Sequence, residues 1–129
     1  MPQRLRALIA MSDSGGQSAL ATTVAARGLE PILAPSLREA REVLSHSRIS
    51  VVFCENKLED GEFREMLREN TKLVPNVPVV VCSSSYDHNL YMDAMTEGAF
   101  DFVAYPYAPR EIEWILSCAL PRAASAGAA

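Results

Sequence analysis

No apolar run in the 129 residues approaches the roughly 18 that a membrane-spanning helix needs. The first residues, Met1 to Arg6, run directly into a strand-like segment and lack the apolar region and small-residue cleavage site of a signal peptide. Cysteine is scarce: Cys54, Cys82 and Cys118 are odd in number and widely spaced, which argues against a disulfide framework or a zinc site. Together these features predict a cytoplasmic, reduced protein. Positive charge is also in short supply. With a net charge of −4, a pI near 5.1 and no basic stripe, nothing supports nucleic-acid binding by this chain. There is no G-x-G-x-x-G and no P-loop lysine, so Ser14-Gly15-Gly16 is a weak sign of a nucleotide site; a turn before a helix explains the pair as well.

Apolar residues make up 49% of the chain, ample for a core without disulfides or metal. Their pattern alternates between two kinds of segment. Leu5 to Met11 is a short apolar run that stops at Ser-Asp-Ser-Gly-Gly and predicts a buried strand. Gln17 to Arg27 has helical spacing and ends at Gly28. Pro31 to Ala34 suits a short strand. Ser36-Leu37-Arg38-Glu39 has the form of a capping box and opens a second helix with Ala40, Val43 and Leu44 on one side. Ile49 to Cys54 is rich in β-branched residues. Asp60-Gly61 is expected to open a third helix with Phe63, Met66 and Leu67 on its apolar face. Asn76 to Cys82 shows no alternation, as in a strand buried on both faces. Asp87 to Thr96 reads as a helix ended by Gly98, and Phe100 to Tyr105 as a fifth strand. Pro109 then sits in the first turn of a last helix that Pro121 stops.

Five strands alternating with five helices imply an α/β fold: a parallel sheet covered on both faces through right-handed crossovers. Residues 1–121 form one domain in this reading, and 122–129 an Ala-rich frayed tail with no output domain after it. Function in such folds gathers at the carboxyl ends of the strands. Those ends are Met11-Ser12-Asp13, Pro35-Ser36, Cys54-Glu55-Asn56, Cys82-Ser83-Ser84 and Tyr105-Pro106.

Three segments carry a resemblance. Pro78-Val79-Val80-Val81-Cys82-Ser83 is a strand ending in a hydroxyl residue. Gly98-Ala99-Phe100-Asp101-Phe102-Val103-Ala104-Tyr105-Pro106-Tyr107 follows at matching distance. Val51 to Glu55, with the shortened loop to Asp60-Gly61, precedes both. From Arg4 to Leu120 the chain resembles the receiver domain of bacterial two-component response regulators. The resemblance implies a three-layer, doubly wound, flavodoxin-like (βα)5 fold with strand order 2-1-3-4-5. It also implies a cis bond at Tyr105-Pro106.

The departures define the expected function. Where the family has its phosphoacceptor aspartate, this chain has Glu55. Where the family holds magnesium with two adjacent acidic residues, it has Met11 and Ser12, and only the following Asp13 is acidic. Where the family has a lysine, it has Tyr105. Phosphoryl transfer to a carboxylate relies on positioning and charge stabilisation. A thioether is a soft ligand unsuited to magnesium, and a tyrosine is neutral at pH 7. The resemblance therefore implies a pseudo-receiver that has no enzymatic activity and holds no magnesium or other cofactor. It signals through protein partners of a bacterial pathway, with Met11, Ser12, Asp13, Ser83 and Tyr105 around Glu55.

Glu55 has two readings. Its carboxylate lies one methylene, about 1.5 Å, farther out than an aspartate's and so mimics phosphoaspartate within reach of Ser83; or it is a relic. Ser83 either meets Glu55 or caps the loop toward Tyr86 and Asp87. Tyr105 either gates a partner site or fills the space of the lost ion pair. Tyr91, Tyr105, Tyr107 and Trp114 mark an expected interaction face, formed by the fourth helix, fifth strand and fifth helix, that suits a homodimer or a target. Asp101, Arg110 and Glu113 add charge there. Two alternatives stay open: a phosphorylatable or metal-binding single-domain regulator, and a small nucleotide-binding flavodoxin-like domain. A thiol enzyme built on Cys54 or Cys82 with His88 is the remaining reading, set against the usual inertness of buried strand cysteines.

Overall fold

The computed structural model of the chain describes residues 5–72 and 77–120. In chain order the elements are β1 (Arg6–Ala10), α1 (Ser14–Ala26), β2 (Glu30–Ala34), α2 (Leu37–His46), β3 (Val51–Glu55), β4 (Lys57–Leu58), β5 (Gly61–Glu62), α3 (Phe63–Thr71), β6 (Val79–Ser83), α4 (His88–Thr96), β7 (Asp101–Ala104) and α5 (Pro109–Ala119). Five of the strands pair in parallel in the order β2-β1-β3-β6-β7. With the small β4-β5 ribbon set aside, this is the expected order 2-1-3-4-5. The expected strand start at Asn76, the stop at Pro121 and the tail 122–129 lie outside the described residues.

Alternation along each strand divides the core in two. Leu8, Val52, Cys54, Val79 and Val81 point to one face, where Leu37, Phe63, Met66 and Ala94 from α2, α3 and α4 cover them. Ala7, Ile9, Val51, Phe53, Val80 and Cys82 point to the other, beneath Leu20 and Val24 of α1 and Ile112, Ile115 and Leu116 of α5. Both faces are therefore dry, which is why β3 and β6 read as unbroken apolar runs. A fully buried Leu, Ile, Phe or Met side chain contributes about 1.5–3 kcal/mol of transfer free energy.

Local chemistry sets the helix ends. Asp13 caps α1 by accepting from the Gly16 N–H, so α1 begins at Ser14, three residues earlier than Gln17. Ser36 caps α2 by accepting from the Glu39 N–H, while the Glu39 carboxylate takes the Ser36 hydroxyl. Asp87 caps α4 through the N–H groups of Asn89 and Leu90. Gly28 and Gly98 follow α1 and α4 with φ of 87° and 104°, the left-handed conformation that ends a helix.

Asp60-Gly61 corrects the expectation. The pair does not open α3, which starts at Phe63. It belongs to the ribbon in which Lys57 faces Glu62 and Leu58 faces Gly61. From there the Asp60 carboxylate accepts from the N–H groups of Leu37 (2.8 Å) and Arg38 (3.0 Å), capping α2 from 22–23 residues away. Among the described residues no helix is long and apolar enough to cross a membrane.

Candidate functional site

Parallel pairing brings the carboxyl ends of β1, β3, β6 and β7 to one edge of the sheet. β3 ends at Glu55, which lies opposite Cys82 of β6 in the register. β1 runs into Met11-Ser12-Asp13, and the Met11 N–H is held by the Ala34 carbonyl of the outer strand β2. These bonds fix where the backbone of residues 11–13 stands relative to Glu55.

Ser12 is tied to Glu55 directly. Its backbone N–H and its hydroxyl each donate to Glu55 Oε1, both at 3.0 Å. The next residue, Asp13, turns its Oδ2 back to the Gly16 N–H at 2.7 Å. That bond, with the Gln17 N–H to Asp13 carbonyl bond, seals the start of α1. Glu55 Oε2 and Asp13 Oδ1 have no hydrogen-bond partner among the described residues.

Two expected pocket residues stand elsewhere. Met11 is buried, and its sulfur packs against Gly16: a Cβ on that glycine would come within 2.7 Å of it. Its side chain is core beneath the site rather than a wall of it. Ser83 is also buried, and its hydroxyl donates to the Ser85 carbonyl at 2.7 Å. Glu55 thus does not engage the Ser83 hydroxyl; its carboxylate is drawn toward the β1–α1 loop by two donors. Ser83 closes its own loop, one residue short of the expected reach toward Tyr86.

What remains is a cleft of about 460 Å³ lined by Asp13, Gly15, Glu55, Ser84, Tyr105 and Tyr107. Gly15, Ser84 and Tyr107 are its unforeseen members. In the run Ser83-Ser84-Ser85 nothing in the sequence separates the hydroxyl that turns inward from the one that faces the cleft. Tyr105 is half-exposed and meets the ring of Tyr107 edge-on, centroids 5.5 Å apart. The Tyr105–Pro106 bond is cis. Tyr107 is 8% exposed, and its ring passes under Gly16. Burial, with smaller contributions from Cys82, Glu55, Asp13 and Tyr105, raises its phenol pKa, so it keeps its proton. The lining carries two carboxylates and no lysine or arginine.

Tyr107 therefore does not belong to the expected exposed face; it is core and cleft. Tyr91 is half-buried, edge-on to Phe102 at 5.8 Å and tilted against Tyr86 at 6.3 Å. Trp114, 70% exposed, and Tyr86, 62% exposed, are the largest outward-facing rings. His88 contacts the Tyr86 hydroxyl at 3.2 Å. Burial, and secondarily the Glu55 charge, pushes the Cys54 thiol up to about 12; burial raises Cys82 as well. Neither is a nucleophile at neutral pH.

No protein-family model and no curated protein matches the sequence. Solved structures do match in shape. The response regulator receiver domain protein from Clostridium thermocellum shares 23% identity over 92% of this chain and 95% of its own, with a TM-score of 0.80. The signal receiver domain of a putative LuxO repressor protein from Vibrio parahaemolyticus shares 17% over 97% and 96%, with a TM-score of 0.84. The beryllofluoride-activated NtrC4 receiver domain dimer shares 20% over 89% and 95%, with a TM-score of 0.82. The chain has the flavodoxin-like fold that these receiver domains share.

Proposed function

We propose that the chain is a receiver-like module of a bacterial two-component pathway that acts by binding a protein partner, not by accepting a phosphoryl group on an aspartate. The observation that carries this reading is the state of Glu55. It stands at the end of the central strand, where the resemblance to receiver domains implies the phosphoacceptor. Its Oε1 is occupied by two donors from Ser12, in a cleft whose lining has no cation. An entering phosphoryl group would meet the charges of Glu55 and Asp13 with no lysine to offset them.

In this reading the site holds magnesium poorly, since Met11 and Ser12 stand where the resemblance implies two adjacent carboxylates. That ion takes hard oxygen ligands in near-octahedral geometry. Here two carboxylates are present, each with one oxygen already accepting from the protein, and Met11 is a buried thioether. A nucleotide phosphate would face the same two charges, and at the start of α1 the Gly16 N–H is taken by Asp13.

In this reading the module is not an enzyme and works in the cytoplasm. Its outward face on α4, β7 and α5, with Trp114 and Tyr105, is a second contact surface suited to a homodimer. The NtrC4 receiver domain of similar fold is a dimer in its beryllofluoride-activated form.

The test is incubation with acetyl phosphate and magnesium, followed by intact mass measurement under conditions that preserve acyl phosphates, with Glu55→Asp run in parallel. The natural chain is expected to stay at its unmodified mass. One added phosphoryl group on it would overturn the reading.

A further inference from the structure

The lining of the cleft beside Glu55 holds two carboxylates and no lysine or arginine. Glu55 Oε2 and Asp13 Oδ1 are acceptors without a partner among the described residues, while their sister oxygens are fixed by Ser12 and Gly16. Both carboxylates are thereby held in place before any ligand arrives. Independently, Tyr107 is more than nine-tenths buried, lines the cleft, and has no hydrogen-bond partner for its hydroxyl among the described residues. Tyr105, half-exposed and set edge-on to Tyr107, offers a ring face beside the same space.

These groups select among cations. A compact hydrated ammonium would use the carboxylates but gain little from the rings. A guanidinium is planar, weakly hydrated and always charged; it stacks on aromatic faces and presents five N–H donors to carboxylate and phenol oxygens. A cleft of about 460 Å³ admits it with part of its aliphatic stem. The chain's net charge of −4 favours the approach of a basic partner.

We propose that this cleft receives an arginine side chain from the protein partner, its guanidinium stacked on Tyr105 and paired with the carboxylates of Glu55 and Asp13. The inference deepens the partner-binding reading above and rests on it: the position that would hold metal and phosphoryl group becomes the recognition pocket for a partner's positive charge.

The experiment is a titration of the ¹⁵N-labelled full chain, followed by amide shifts, with the peptide acetyl-Gly-Arg-Gly-amide. The same peptide with citrulline or lysine in the central place, and magnesium chloride alone, run beside it. The arginine peptide is expected to move the amides of Ser12, Asp13, Gly15, Ser84 and Tyr105 saturably, with Kd on the order of 1–10 mM. Citrulline, the neutral isostere, is expected to move none of them, and lysine to bind more weakly. Glu55→Gln keeps the acceptor for Ser12, and Asp13→Asn keeps the helix cap, so both variants test charge alone. Each is expected to weaken the arginine peptide about threefold to fivefold, as is Tyr105→Leu. Equal responses to arginine and citrulline, no response at those amides, or displacement of the peptide by magnesium would overturn the inference. If the chain also stays unphosphorylated in the mass experiment, the partner-binding reading survives that loss.

Discussion

Ser12 donates twice to one oxygen of Glu55, from its backbone N–H and from its hydroxyl, both at 3.0 Å. The two residues lie 43 positions apart and join the ends of β1 and β3. A carboxylate with two such donors is an anchor for the loop that carries Asp13. Because the pair is solvent-exposed, its energy is modest. A double-mutant cycle of Ser12→Ala and Glu55→Ala, which removes the acceptor, is expected to give a coupling energy of about 0.5 kcal/mol in urea unfolding. Strict additivity would show that the hydroxyl bond is absent in solution.

Asp60 gives a pH dependence. The Leu37 N–H is the main cause holding its carboxyl below the usual aspartate range; the Arg38 N–H, its own N–H and the Arg41 charge act in the same direction against some desolvation. The folded-state pKa is depressed, so the resulting stability is present in full above the ordinary value of about 3.9 and lost as pH falls through the folded value. The Asp60 side-chain carbonyl carbon, followed by NMR, is expected to titrate below about 3.9. In Asp60→Asn the acid limb of the stability profile is expected to flatten. An ordinary or raised midpoint would mean that the cap on α2 does not form.

Much of this architecture is legible in the residues. Val51-Val52 and Val79-Val80-Val81 announce strands covered on both faces, and Gly28 and Gly98 mark helix ends because their φ values disfavour other residues. The β4-β5 ribbon was not legible, since two-residue strands leave no periodicity. Asp60 as a cap for α2 was hidden because its partners lie 22–23 residues away. So was Asn70, whose carboxamide pairs with both the N–H and the carbonyl of Val77 at 2.7 and 2.6 Å. At the site, Glu55 could be placed from the end of its strand. The depth of Tyr107 could not, because it depends on the space that Gly16 leaves open across the fold.

The cysteines separate by environment. Cys54 and Cys82 are buried with raised thiol pKa values, Cys54 to about 12, while Cys118 is exposed on α5. Thiolate is the reactive form, and burial suppresses both its formation and access to it. Native protein at pH 8 is expected to take up one equivalent of Ellman's reagent quickly, at Cys118, and three after denaturation. A second fast equivalent in the native state would restore a thiol-based activity to consideration.

Two adjacent glycines make opposite predictions. Both lie in the first turn of α1, where alanine has the better helix propensity. At Gly15 an added Cβ meets only Asp13 Oδ2, at an ordinary 3.5 Å. Gly15→Ala is therefore expected to stabilise by about 0.5 kcal/mol, mainly by reducing the freedom of the unfolded chain. At Gly16 the Cβ would lie 2.7 Å from the Met11 sulfur, 3.1 Å from Asp13 Oδ2 and 3.3 Å from Tyr107 Cε2. Met11 is fully enclosed and Tyr107 nearly so, which leaves the sulfur and the ring little room to yield. Gly16→Ala is expected to cost about 1–2 kcal/mol, the overpacking outweighing the propensity gain. The tyrosine ring would be displaced toward the cleft, so the amide shifts of Tyr105 and Tyr107 should move in Gly16→Ala and stay in place in Gly15→Ala. Equal stability for the two variants would show that Met11 and Tyr107 do not close over α1 as described, and the wall of the cleft would have to be redrawn.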